Sequence, residues 1–283
     1  MRKIKIHVWH TGRVHVSPAL PFGGDCSIIK ASGLLTPKKD WIWLPVSAYL
    51  VQHPKGLILF DTGWNRSMSP DGVLDKKAEI RSLGSRLLYM VNQGEIAEGE
   101  AVDEQLAAMG LSDTDLDYVI LSHLDCDHAN GLKLVENAKK LMVSRAEMEF
   151  ATEKNPVCMI RYQKCWWDGV PLTLFDWNGN EGPFNRSFDL FGDGSVMLVN
   201  IPGHCNGLCA MKITNPDGKY VLLYADGGYG TKSWKEMIVS GIAVNREQQY
   251  RSLEWIREQS LDPNCIESIA THDVNVQPHI IEF

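Results

Sequence analysis

The sequence predicts a mixed α and β fold whose strands end at metal-ligating side chains. Short apolar runs at Leu116–Leu121, Val196–Ile201, Tyr220–Ala225 and Ile266–Ala270 have the length and composition of buried strands. Each is followed within a few residues by a histidine or an aspartate. Segments with helical spacing and capping residues lie between them, and 283 residues suffice to bury a substantial core. No Pro/Gly/Ser-rich linker, charge block or repeat divides the chain, so residues 1–283 read as a single domain.

Taken in order, Met1–Val8 alternates polar and apolar residues without a sustained apolar run, and reads as a first strand, not a signal peptide. Trp41–Val51, broken by His53-Pro54-Lys55-Gly56 and resumed at Leu57–Phe60, reads as strand, turn and strand ending at Asp61. A helical stretch near Lys76–Val91 sets Leu83, Leu87 and Leu88 at helical spacing, suited to covering a pocket or to packing on the core. Asp103–Met109 reads as a short helix stopped by Gly110, and Leu141–Val143 as a strand before a helix capped by Ser144. Between Cys158 and Phe191 periodicity fades. Trp166, Trp167, Phe175, Trp177, Phe184, Phe188 and Phe191 stand there among glycines and prolines, candidates for pocket walls and equally for core packing. A helix capped by Thr231 runs to about Ser240, and a longer one starts at Asn245, with Gln248 in capping-box position.

The run His123-Leu124-Asp125-Cys126-Asp127-His128 sets four ligand-type side chains within six residues. In an extended chain every second side chain shares a side, which groups His123, Asp125 and Asp127 and adds His128 next to them. Downstream stand His204 in Pro202-Gly203-His204, Asp226 in Tyr224-Ala225-Asp226-Gly227-Gly228, and His272 in Ala270-Thr271-His272-Asp273. Cys126 and Cys205 alternate away from these ligands and read as buried thiols. His7, His10, His15, His53 and His279 lack comparable context and read as surface or hydrogen-bonded histidines.

In this order of motifs, the chain resembles the metallo-β-lactamase superfamily from Gly56-Leu57-Ile58-Leu59-Phe60-Asp61-Thr62-Gly63 to His272. Asp125 stands where most members have a second histidine; ligand capacity is kept and the ligand becomes harder. The resemblance implies an α/β fold of four layers, an αβ/βα sandwich with two mixed sheets face to face and helices outside. It also implies two divalent ions, one on His123, Asp125 and His204, the other on Asp127, His128 and His272, with Asp226 bridging and Asp61 supporting the site by hydrogen bonds. Zinc is the first expectation, and the carboxylate-rich set also suits manganese or iron. A hydroxide shared by the ions would be the nucleophile, and Asp127 would relay its proton to the leaving oxygen. Tyr229, three residues after Asp226, together with His10-Thr11-Gly12 and Asp61-Thr62-Gly63-Trp64, resembles the N-acyl homoserine lactonase branch. That implies a small lactone or ester substrate hydrogen-bonded by the Tyr229 phenol, packing being the alternative role for this residue.

Composition bounds the partners. A net charge of −7 disfavours nucleic acid, and no apolar run approaches the roughly 18 residues of a membrane span. Seven cysteines without framework spacing suit a reducing cytoplasm. The aromatics between Cys158 and Phe191 also suit the interface of a homo-oligomer. Two other functions share these residues. One is a di-iron redox site using Asp125, whose members carry a fused flavodoxin domain that 283 residues leave no room for. The other is a non-catalytic sensor, against which all seven ligand positions keep competent side chains.

Overall fold

Alternation of side chains along the strands divides the apolar residues between two cores, and the architecture follows from that division. The computed structural model describes residues 3–283; Met1 and Arg2, expected to open the first strand, lie outside the described residues. The first sheet gathers β1 (Lys5–Val16), β2 (Ile42–His53), β3 (Gly56–Phe60), β4 (Gln93–Glu95), β5 (Tyr118–Ile120), β6 (Leu141–Ser144) and β7 (Leu172–Phe175). The second holds β8 (Ser187–Asp189), β9 (Val196–Asn200), β10 (Cys209–Thr214), β11 (Tyr220–Ala225) and β12 (Cys265–Ala270), while β13 (His279–Glu282) returns to the first. Strand orders are β13-β1-β2-β3-β5-β6-β7, with β4 paired to β1, and β12-β11-β10-β9-β8. Both sheets are mixed: β3, β5, β6 and β7 run parallel, as do β11 and β12, whereas β1 and β2 or β9 and β10 are antiparallel.

Ile6, Tyr49, Phe60 and Ile120 of the first sheet share one core with Leu198, Met211 and Leu223 of the second. Their neighbours in sequence, such as Leu50, Leu59, Val119, Leu222 and Tyr224, enter the other core with the helical residues Leu106, Leu253 and Ile256. A slip of one residue in a central strand would exchange the two sets, so register is strongly specified. The result is the expected αβ/βα sandwich.

The helices are α1 (Ala19–Phe22), α2 (Ile28–Ala31), α3 (Lys76–Leu83), α4 (Arg86–Val91), α5 (Val102–Ala108), α6 (Cys126–Ala129), α7 (Arg145–Ala151), α8 (Pro156–Arg161), α9 (Thr231–Glu236) and α10 (Arg246–Leu261). Several differ from the sequence expectation. The stretch from Lys76 to Val91 is two helices, because Gly84 turns left-handed (φ 71°) to close α3 and Ser85 caps α4. Leu83 and Leu88 are buried, but Leu87 is exposed. Ser144 caps α7 as expected, accepting from Glu147 N at 3.1 Å. Asn245 likewise accepts from Gln248 N, but its own N–H is taken by Gly203 O, so Asn245 caps α10 with that N–H already engaged. Thr231 is the first residue of α9 and not its cap; Asp273 accepts from its N–H and hydroxyl, and Met237 ends the helix in a left-handed turn well before Ser240. The aromatic segment is mostly core: Trp166 and Trp167 lie under the helices, and Phe175 lies between the sheets with Trp177, Phe188 and Phe191 against it. Among the described residues no helix is long and apolar enough to cross a membrane.

One buried acid ties α3 to the first sheet. Glu79 Oε1 accepts the Gly94 N–H of β4 at 2.6 Å. Burial pushes this carboxyl up to about 7, against the Gly94 bond and Lys38. A raised carboxyl favours the protonated fold, so its contribution is complete below 4.5 and is lost as pH rises through about 7. Glu79→Gln is expected to remove that loss, at most about 3 kcal/mol. Urea unfolding of both proteins at about pH 5 and about pH 8 checks it: the variant should gain on the wild type at the higher pH, and a constant offset would contradict the assignment.

Candidate metal centre

All seven predicted ligand positions meet at one end of the two sheets. His123 follows β5, His204 follows β9, Asp226 directly follows β11 and His272 follows β12. Backbone bonds join the sheets at this edge, Ser47 N to Thr271 O and Cys209 N to Ser122 O, both 3.1 Å. His272 Nδ1 donates to Pro45 O at 2.7 Å, which aims its Nε2 at the cluster.

The segment from His123 to His128 is not extended throughout. Asp125 is extended (φ −65°, ψ 157°) and caps α6, which begins at Cys126; Ala129 N returns to Asp125 O at 2.9 Å. Asp127 and His128 therefore project from the first turn of a helix, and two-residue alternation holds only for His123 and Asp125. Cys126 and Cys205 are buried in the helix-side core, as expected of structural thiols.

Two triads form. His123, Asp125 and His204 make one, Asp127, His128 and His272 the other, and within each the ligand atoms lie within 4.8 Å of one another. Asp226 lies between them: its Oδ1 is 3.2 Å from His128 Nε2 and 3.3 Å from His272 Nε2, and its Oδ2 is 3.6 Å from His204 Nε2. Tyr229 closes the cluster, its ring stacked on His272 at 5.1 Å between centroids and edge-on to His204 at 6.0 Å.

The supports are as specific as the ligands. Asp61 Oδ2 accepts from His128 Nδ1 and from the Ser122 hydroxyl, each at 2.8 Å, and Oδ1 accepts Ser122 N at 2.7 Å. This is the hydrogen-bonding role expected of Asp61. The bond keeps Nδ1 as the donor to Asp61 and turns Nε2 toward the cluster. Asp61 (φ 61°) and Ala225 (φ 44°) both hold left-handed backbone next to the site, a conformation that costs a non-glycine residue roughly 1–3 kcal/mol. Gly203 carries its own constraint: at φ 133° it seats the His204 loop on α10, and a Cβ there would lie 2.2 Å from Gln249 N.

Three contributors escaped the sequence reading. Ser122 is one. Glu147, fully buried on α7, is another; it accepts Leu124 N at 3.0 Å and Gly207 N at 3.1 Å and so joins the His123 and His204 loops. Arg161, the last residue of α8, is the third. Its Nε and Nη2 clasp the Asp125 carboxylate at 2.5 and 2.7 Å, its Nη2 also meets His204 Nε2 at 2.7 Å, and its Nη1 donates to His204 O at 3.0 Å.

Electrostatics follow from burial and pairing. Burial opposes the charge on Asp125, but Arg161 and the adjacent imidazoles of His123 and His204 outweigh it and hold that carboxyl well below the usual range. Asp226 is likewise held low against burial, by His272 and His128. Asp127 is raised, because burial and the neighbouring carboxylates exceed the attraction of His128 and His272. Burial and Arg161 drive His204 down to about 4 despite Asp125. Neutral His204 and charged Asp125 and Asp226 are in the states that cation binding requires, whereas His128, raised against burial by Asp61 and Asp226, and His272, raised against burial by Asp226 and Asp127, must release protons to bind one.

The donor set fits metal ions. His123 Nε2, His128 Nε2 and Asp226 Oδ1 are buried, face the cluster, and have no hydrogen-bond partner among the described residues, a costly arrangement unless a cation satisfies them. Nitrogen and oxygen donors in these proportions suit zinc, manganese or iron. Asp61→Asn, which keeps the shape but weakens the acceptor for His128 Nδ1–H, is expected to lower zinc affinity about 10–100-fold. Competition against a chromophoric chelator measures it, and an affinity equal to wild type in a folded variant would contradict the role given to Asp61.

Comparison with known proteins supplies the family. A family model described as the metallo-beta-lactamase superfamily matches residues 41–222. The chain is 25% identical over 220 residues to the N-acyl homoserine lactonase AttM of Rhizobium radiobacter, covering 76% of each chain. To the N-acyl homoserine lactonase AiiB of Agrobacterium fabrum it is 28% identical over 221 residues, covering 71% of each. A B. thuringiensis AiiA variant solved with N-decanoyl-L-homoserine bound at the active site shares its fold, with a TM-score of 0.72 at 23% identity over 97% of this chain and 95% of that one. AidC, a dizinc quorum-quenching lactonase, shares it at a TM-score of 0.64 and 15% identity over 96% and 90%. The family match runs from the start of β2 into β11 and takes in five of the seven ligand positions, and on that ground the chain belongs to the metallo-β-lactamase superfamily.

Proposed function

We propose that this chain is a dinuclear metal-dependent hydrolase that opens lactone rings, with zinc as the first-choice ion and N-acyl homoserine lactones as the substrate class. One observation carries the reading. Asp226 turns one oxygen to each of two histidine-containing triads, which is the arrangement that two cations sharing a carboxylate need. The substrate class is supported by relatives named as N-acyl homoserine lactonases and by the position of Tyr229.

Bound, the ions supply Lewis acidity and lower the pKa of water toward neutrality. The chain's own groups do the rest. Burial and the carboxylates of Asp226, Asp125 and Asp127 hold the Tyr229 phenol well above its usual range, so at neutral pH it is a hydrogen-bond donor. Its ring stacks on His272 beside the cluster, and in this reading its hydroxyl donates to the substrate oxygen on which negative charge develops. Asp127 takes the proton released as water adds to the carbonyl carbon and returns it to the ring oxygen when the carbon–oxygen bond breaks, leaving a hydroxy acid.

A cavity of about 290 Å³ ends at Asp125, Cys126 and Arg161, and its walls include Leu20, Ile28, Leu88, Val91 and Ile160. It suits an acyl chain, which gains about 0.8 kcal/mol for each buried methylene. The insertion between β3 and β4 thus covers a pocket through Leu88 and Val91, as one of its two expected uses, while the aromatic segment contributes mainly to the core.

Two substitutions test the reading together. Tyr229→Phe is expected to retain metal and lose about 100-fold in kcat for lactone opening, since a donor to the developing charge is removed. Asp226→Ala is expected to lose both metal and turnover. Elemental analysis and lactone hydrolysis on the same samples check both, and wild-type turnover in either variant would overturn the proposal.

A further inference from the structure

The two triads are not equivalent. Arg161 sits against one of them with its side chain nearly buried, and its three nitrogens are all engaged by Asp125 and His204. The second triad, Asp127, His128 and His272, has no arginine or lysine paired to it among the described residues. Two consequences follow from elementary chemistry. Arginine is always charged, so a contact of 2.7 Å between its Nη2 and His204 Nε2 is a hydrogen bond donated into the imidazole lone pair. That lone pair is the one His204 would offer to a cation, and it serves one partner at a time. The guanidinium also adds a positive charge within a few ångströms of the position that a cation would take, which repels it.

Asp125 explains why such an arginine is tolerated. Relative to a neutral histidine at that position, Asp125 adds one negative charge to a buried cluster that already holds Asp127 and Asp226. Arg161 restores the balance through a bidentate pair, the geometry for which guanidinium is suited and ammonium is not. Charge compensation and competition for His204 therefore come from the same side chain.

We propose that Arg161 is a built-in competitor for the His123–Asp125–His204 position, making metal loading stepwise with the Asp127–His128–His272 position filled first. The proposal rests on the dinuclear reading above, and its test separates the two. Full-length wild type, Arg161→Gln and Arg161→Lys, each stripped with chelator and verified as folded by circular dichroism, are titrated with cobalt(II), whose absorption reports stoichiometry and stepwise affinity without any activity assay. The expected result is two steps in wild type, with the weaker tightened on the order of tenfold or more in Arg161→Gln and the tighter one unchanged. Arg161→Lys, which keeps the charge but loses the fork, should fall between them. One ion in wild type and two in Arg161→Gln would support the competition in stronger form and remove the second ion from the wild-type enzyme. Two ions whose affinities ignore or weaken with Arg161→Gln would overturn the proposal and leave the dinuclear reading standing. A single ion in all three proteins would overturn both.

Discussion

Four aspartates, Asp61, Asp125, Asp127 and Asp226, are buried within one cluster, and the need to compensate them organises the rest of this end of the molecule. An isolated buried carboxylate is too costly to keep ionised. Here each has a distinct solution: Asp61 takes the His128 ring and the Ser122 N–H and hydroxyl, Asp125 takes Arg161, and Asp226 lies between His128 and His272. Asp127 has the weakest compensation and is the one whose carboxyl is pushed up. A dense set of anions with converging imidazole nitrogens is unfavourable for an isolated fold and favourable for one that binds cations, so the cost of assembling it is part of the affinity.

The sandwich supplies the rigidity that such an assembly demands. Parallel strands β3 and β5, and β11 and β12, end at the same edge, and the backbone bonds from Ser47 to Thr271 and from Cys209 to Ser122 cross between the sheets there. Strained backbone at Asp61 and Ala225 is held by this frame, and both residues are within one position of a group in the cluster. Glu147 performs the same task on the helix side, bridging the two loops that carry His123 and His204. Two adjacent layers thus deliver side chains to one place from segments more than a hundred residues apart in sequence.

Much of the candidate site was legible in the sequence because its ligand-type residues are chemically unusual at strand ends. His123, Asp125, Asp127, His128, His204, Asp226 and His272 all converge, and Asp61 takes the supporting role expected of it. The sandwich itself was legible only through family resemblance, since alternation in short apolar runs gives strands without giving their order. Arg161 and Glu147 were not legible. Each is a single polar residue on a short helix, and nothing local in the sequence distinguishes a buried ion pair from a solvated one. The break at Gly84 was hidden by leucines at helical spacing on both sides of it, and the helical turn at Cys126 by a polar alternation that also fits an extended strand. In the segment from Cys158 to Phe191 the aromatics drew attention to a pocket, but the pocket wall there is Ile160 and Arg161.

The proposed function has this cluster bind divalent cations and use them to open a lactone. Its most direct test is elemental analysis of protein purified without added metal, paired on the same sample with hydrolysis of an N-acyl homoserine lactone before chelation, after it and after metal is restored. Divalent metal approaching two ions per chain, zinc foremost, is expected, with ring opening that disappears on stripping and returns with metal. Hydrolysis that survives complete removal of metal would contradict it, as would full occupancy by iron with reductant-driven oxygen consumption and no hydrolysis.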